Sequence, residues 1–146
     1  MTIRSYPNGK APSFAESEVA PIHLAEIDGR QYYAFAEKEA VLSGGKAADD
    51  ALEDIYQHSQ LIKQIKEEAG RRILLLAPQW KQQNALADVY LLGKLEKLDE
   101  AQTERLQKAD ALLLAIQAIR LRSDDIEASF LKGVSVDYLT DQAWGN

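Results

Sequence analysis

The stretch RRILLLAPQWKQQNALADVYLL, residues 71–92, runs from a basic pair through an apolar run into a proline, a tryptophan and a row of amides. Proline has no N–H to donate, and its ring clashes with the preceding helical turn, so Pro78 must end one helix or open the next at its first position. That reading divides the chain's helical periodicity. Upstream, a seven-residue pattern places Ala48, Ala51, Ile55, His58, Ile62, Ile65, Ala69, Arg72 and Leu76 on one seam of a helix over 47–76. Downstream come a helix over 79–97 and a second seam of Leu95, Leu98, Gln102, Arg105, Ala109, Leu112, Ile116, Ile119, Ser123, Ile126 and Phe130. Asp99 with Gln102 three residues on is a capping box, which starts a helix over 100–131 and predicts a chain reversal near Asp99. A reversal there sets Trp80 near Ile116 to Ile119 as a packing anchor. A continuous rod would send it to another subunit.

Toward the N-terminus, IHLAEIDGRQYYAF (22–35) predicts a β-hairpin turning at Asp28-Gly29. Counting outward from the turn pairs Ile27 with Arg30, Leu24 with Tyr33 and Ile22 with Phe35, so Ile22, Leu24, Tyr33 and Phe35 share a face. Two strands alone are marginal in water, and that face must dock on helices or on another chain. Residues 1–21 hold Pro7, Pro12, Pro21 and Asn8-Gly9 and read as an extended arm. The C-terminal GVSVDYLTDQAWGN predicts a short strand around Val134 to Tyr138, with Trp144 as an anchor. The expected architecture is mainly α: an arm plus hairpin docking region (1–46), long helices forming a helical hairpin or coiled-coil stalk (47–131), and an extended tail (132–146).

Composition narrows the function. The chain has 146 residues, net charge −6 and 46% hydrophobic residues, values of a folded protein without the basic surplus that nucleic acid demands. It has no cysteine, which removes disulfides and thiolate metal sites and fits a reducing compartment. The N-terminal residues have no apolar run of signal-peptide type, and no stretch predicts membrane insertion.

Nor does an active site assemble. His23 and His58 lack acidic partners at metal-ligand spacing, and they read as packing or surface histidines. Asp124, Asp125 and Glu127 read as a solvated charged face rather than a catalytic pair. SGGK (43–46) lacks phosphate-loop spacing and reads as a hinge before a helix. Trp80 with Lys81, Gln82, Gln83 and Asn84 has the groups to stack on and hydrogen-bond a sugar or base, but the favoured reading is a tryptophan packed beneath a helix joint with its amides facing water. No catalytic, cofactor-binding or metal-binding residue is expected.

Two segments together resemble a family. RRILLLAPQWKQQNALA (71–87) and AIQAIRLRSDDIEASF (115–130) look like the helical region of small bacteriophage tail proteins described as tail assembly chaperones or tail-fibre proteins. The pattern P-x-W-K-Q-x-N falls on Pro78, Trp80, Lys81, Gln82 and Asn84. The pattern I-x-A-I-R-x-x-S-x-x-I-E-A falls on Ile116, Ala118, Ile119, Arg120, Ser123, Ile126, Glu127 and Ala128. Asp124 stands where the family usually has Asn, and the spacer lacks the tryptophans many relatives carry. The resemblance covers less than half the chain. It implies no enzyme and no cofactor, a tail-fibre or baseplate component assembled in the host cytoplasm and retained in the virion, and other tail or baseplate proteins as partners. The seams, nearer 3.5 than 3.6 in period, and the small Ala48, Ala51, Ala69 and Ala109 predict a homo-oligomer, and the resemblance favours a trimer because fibres are commonly three-fold. The alternatives are an assembly chaperone that does not stay in the virion and, more remotely, a small carbohydrate-binding domain. The partner-binding residues expected are Ile22, Leu24, Tyr33, Phe35, Trp80, Ile116, Ile119, Ile126 and Trp144.

Overall fold

The computed structural model describes residues 2–12, 19–36 and 45–145. It is mainly α, with a small antiparallel sheet near the N-terminus. The strands are β1 (Thr2–Pro7), β2 (Ile22–Ile27), β3 (Arg30–Phe35) and β4 (Lys46–Ala47), in spatial order β2-β3-β1-β4. The helices are α1 (Leu52–His58), α2 (Gln60–Leu76), α3 (Gln79–Leu92) and α4 (Glu100–Leu131). The chain divides into two compact units, one made of Met1–Lys66 with Asp124–Asn146, the other of Glu67–Ser123.

In the first unit the hairpin turns where the sequence predicts. Asp28 (φ 49°) and Gly29 (φ 75°) both take positive φ, as a two-residue hairpin turn requires, and Ile27 pairs with Arg30. Beyond that the register departs from the simple count. An irregularity between His23 and Ala25 pairs His23 with Tyr33 and Ile22 with Ala34. A bulge inserts one residue and turns the following side chain to the other face. Ile22, Leu24, Tyr33 and Phe35 therefore do not share a face: Leu24 and Ala34 join the main core with Ile22 and Tyr32 beside them, while Phe35 packs with Tyr6 and Tyr33 in a separate cluster.

The expected arm is also corrected. Residues 2–7 form a strand that pairs with β3 on one side and β4 on the other. Ile3 and Ser5 are buried opposite Ala34 and Tyr32 and Tyr6 is buried with Phe35, so burial of the strand outweighs the turn residues around it, and Pro7 sits at the strand end where a missing N–H is tolerated.

The helix expected over 47–76 is broken. Ala47 belongs to β4, a 3-10 turn covers Asp49–Ala51, and Ser59 separates α1 from α2. The Ser59 N–H donates to the Ile55 carbonyl at 2.8 Å, closing α1, while its Oγ accepts from the Ile62 N–H at 3.2 Å, capping α2. Ile55, Ile62 and Leu131 then meet Ile3, Leu24, Ala34 and Ala48 in the main core.

α4 ends in a Schellman motif: Gly133 (φ 77°) donates to the Phe130 carbonyl and Val134 to that of Ser129. Residues 134–138 are not the predicted strand. They form an irregular turn that brings Tyr138 edge-on to Phe130, with ring centroids 6.0 Å apart, and its hydroxyl donates to Gln64 at 3.1 Å. Trp144 is buried and donates its indole N–H to the Tyr138 carbonyl at 2.7 Å, so the anchor holds the tail onto its own chain.

In the second unit α3 and α4 run antiparallel. Asp88 pairs with Arg105, and a groove between the helices is lined by Lys81, Asn84, Ala85 and Asp88 of α3 and by Arg105, Lys108, Ala109 and Leu112 of α4. The reversal falls where Asp99 marks it: Asp99 Oδ1 accepts from the Gln102 N–H at 2.7 Å, and Gln102 Oε1 accepts from the Asp99 N–H at 3.0 Å.

Candidate interaction surface

Six of the fourteen α3 residues are polar (Gln79, Lys81, Gln82, Gln83, Asn84 and Asp88), and its large apolar residues divide between a buried line and an exposed outer side. Pro78 is the N-cap residue, and its carbonyl accepts from the Lys81 and Gln82 N–H groups. Ala85 and Leu92 are buried, and Lys81, Asn84 and Asp88 line the groove toward α4. At 100° per residue, Trp80, Gln83, Leu86, Ala87, Tyr90 and Leu91 fall within roughly 140° of arc on the far side. Trp80 (59%), Leu86 (58%), Tyr90 (64%) and Leu91 (60%) are exposed accordingly. Trp80 is thus not the packing anchor that the antiparallel reading suggested. It lies off the buried line through Ala85 and Leu92, with the Lys81 ammonium 5.5 Å from its ring centre.

The same holds for α4. Ala109, Ile116 and Ser123 are buried on its inner line, whereas Ala111, Leu114, Ala118 and Leu121 form an exposed stripe at steps of three, four and three. With Leu74, Leu75 and Leu76 at the end of α2 and Leu95 in the loop, residues 67–123 hold ten of the fourteen large apolar side chains left exposed among the described residues. The exposed apolar surface therefore belongs mostly to this unit.

The other sequence-derived positions lie elsewhere. Leu24, Phe35, Ile116, Ile126 and Trp144 are buried within the chain, and Ile22, Tyr33 and Ile119 are half-buried. The amides after Trp80 do not gather around its ring: Gln82 donates to the Ala77 carbonyl at 2.9 Å, which satisfies the end of α2, and Asn84 faces the groove.

Polar clusters occur in both units. Glu68 is buried on α2, accepting two hydrogen bonds from Arg71 (2.6 and 2.8 Å) and one from the buried Arg72 (2.9 Å). The Arg71 hydrogen bonds, aided by Arg72 and opposed by burial, hold its carboxyl below the usual carboxylate range. Arg72 therefore sits on the first seam with a built-in counter-charge.

Glu127 corrects the reading of Asp124, Asp125 and Glu127 as one solvated face. Asp124 and Asp125 are exposed, but Glu127 is 3% exposed and its Oε1 has no hydrogen-bond partner. Lys66 Nζ is 3.8 Å away, and burial pushes the Glu127 carboxyl up despite it. Partial burial and the charges of Glu127 and Asp124 raise the Tyr56 hydroxyl as well. Sequence periodicity did not mark it, since Glu127 lies about 100° of helix away from its seam neighbour Ile126.

His23 and His58 are exposed, the first 2.6 Å from Gln31 Oε1 and the second 2.9 Å from the Asp54 carbonyl. Among the described residues no group of three or more His, Cys, Asp or Glu is placed to hold a metal ion, and no helix is long and apolar enough to cross a membrane. Ser43 and Gly44 of the expected hinge lie outside the described residues, and Lys46 is in β4. A polar cavity of about 290 Å³ beside the sheet is lined by Ser5, Arg30, Tyr32, Lys46, Asp50 and Asp54 among others, with Arg30 Nε donating to Ser5 Oγ at 3.1 Å. Its cations and carboxylates are mixed, and no nucleophile and base stand paired in it.

No family model, no curated protein and no solved structure matches this chain.

Proposed function

We propose that the chain is a bacteriophage tail structural protein, a tail-fibre or baseplate component that acts by protein-protein assembly and not as an enzyme. The observation that carries the assembly role is the apolar outer side of α3, reinforced by the second stripe on α4. A contiguous apolar patch left open on a single chain marks a surface that another protein covers. The tail assignment rests on the resemblance of residues 71–87 and 115–130 to small phage tail proteins. In this reading the helical unit is the part that enters a stalk or hub, its neighbours are other tail or baseplate proteins, and the chain is present in more than one copy.

Mass spectrometry of purified phage particles tests this. Recovery of the chain in particles at a level comparable with known tail proteins supports it. A chain abundant in the infected-cell lysate but missing from particles replaces it with the assembly-chaperone reading, in which the same apolar side shields a partner and is then released.

A further inference from the structure

Within the assembly reading, on which this step rests, the structure also indicates what covers α3. We infer that the outer side of α3 packs against the same side of a second copy of this chain, antiparallel about a two-fold axis near the middle of the helix.

Three features lead there. The first is charge. Gln79, Trp80, Gln83, Leu86, Ala87, Tyr90 and Leu91 supply that side, and none is ionisable near neutral pH, while the Asp88 carboxylate faces the groove and pairs with Arg105. Residues 67–123 carry nine Lys and Arg against eight Asp and Glu, so two copies meet there without net repulsion, although the whole chain carries −6.

The second is area. Two aromatic and two leucine side chains exposed to about 60% present on the order of 500 Å² of apolar surface. That is near the upper end for a patch on a monomer, and it equals the apolar share of one side of a standard interface of about 800 Å² per partner.

The third is self-complementarity. An isologous contact needs each residue to meet a fitting partner twice. With the axis between Asn84 and Ala87, Trp80 falls opposite Leu91 of the second copy and Leu91 opposite its Trp80. The small Ala87 lets the helices approach at the centre, and Tyr90 keeps the ammonium of its own Lys94, 3.8 Å from its ring centre. The heptad seams do not supply this contact, because Ile55, Ile62, Ile65, Ile116 and Ile126 are buried within the chain.

Because the chain has no cysteine, a single thiol can be placed at will. With added oxidant, Leu86→Cys, near the axis, should form a disulfide-linked dimer rapidly, whereas Leu139→Cys, more exposed but in the other unit, should not. Light scattering of the unmodified chain at tens of micromolar should give a multiple of the monomer mass, and Leu86→Glu should reduce it to monomer with helical circular dichroism unchanged. Leu91→Glu repeats the test should Leu86→Glu unfold. A monomeric unmodified chain overturns the inference, as does an oligomer that both glutamate variants leave intact. Neither result touches the particle mass spectrometry, so failure of the self-contact and failure of the tail assignment are read separately.

Discussion

A β-carbon added to Gly133 would lie 2.4 Å from the carbonyl carbon of Phe35, with the Ala36 nitrogen equally close. The end of α4 is thus pressed onto the end of β3 at a point where only a hydrogen fits. Gly133 also holds φ 77°, so substitution brings backbone strain and a clash with main chain that has no rotamer by which to move aside. Gly133→Ala should cost about 3 kcal/mol or more. Gly9→Ala is the control: its φ is similar at 80°, yet nothing lies within 4 Å, and the strain alone is about 1 kcal/mol. Chemical denaturation of both variants checks the difference, and equal losses would mean that α4 does not press on β3.

Glu68 should make the protein acid-sensitive. Its folded pKa is depressed by Arg71 and Arg72, so its contribution is fully present above the ordinary carboxylate range and is lost as pH falls through the folded value. Glu68→Ala should cost about 2 kcal/mol or more at neutral pH, since hydrogen bonds to charged groups are worth ~1.5–3 kcal/mol each and Arg72 is buried beside it. The loss should shrink in acid. A pH series of melting temperatures for the two proteins should converge at low pH.

Glu127 acts in the opposite direction. Its folded pKa is raised by burial, so the protonated carboxyl is favoured in the folded chain, and stability falls as pH rises from the ordinary carboxylate value through the raised one. The charged groups facing it are Lys66 on α2 and Asp124 on α4, with the Tyr56 hydroxyl on α1 titrating far higher. Glu127→Gln removes the ionisation and should leave stability flatter between weakly acid and neutral pH, with the variant at least as stable as the parent at pH 7. A variant less stable at neutral pH and unchanged in slope would show that the Lys66 contact outweighs the burial cost.

The residues that announced themselves in sequence are those whose local chemistry suffices. Asp28-Gly29 makes its turn from backbone preference alone, and Asp99 with Gln102 closes its capping box within one helical turn. The features missed depend on distant partners. The bulge at Leu24 is set by what Ile3 and Ala34 need from the core, and β1 exists because β3 and β4 flank it. Ser59 carried a cap signal, but the seam through Ile55 and Ile62 continues across it and concealed the break. The candidate surface was half legible. Period analysis singled out the seams, whose isoleucines Ile55, Ile62, Ile65, Ile116 and Ile126 the chain buries itself. The outer residues Leu86, Tyr90, Leu114 and Leu121 stand out only once the inner line of each helix is known.

That distinction between the two sides of α4 gives the final prediction. Ile116 is 3% exposed and Leu114 is 70% exposed, two residues apart on one helix. Ile116→Ala deletes buried methylenes and leaves a cavity, so it should cost about 2–5 kcal/mol in any oligomeric state. Leu114→Ala removes side chain that faces outward, and alanine is the better helix former, so in a dilute monomeric sample it should change stability by no more than about 0.5 kcal/mol. In assembled material the two variants should part company differently. Where the α4 stripe is covered by another subunit, Leu114→Ala becomes a core deletion and its cost should rise with protein concentration, while that of Ile116→Ala stays fixed. Thermal unfolding of both variants across a hundredfold range of concentration therefore reads burial of the outer stripe directly. A Leu114→Ala cost that stays near zero at every concentration would restrict the interface to α3.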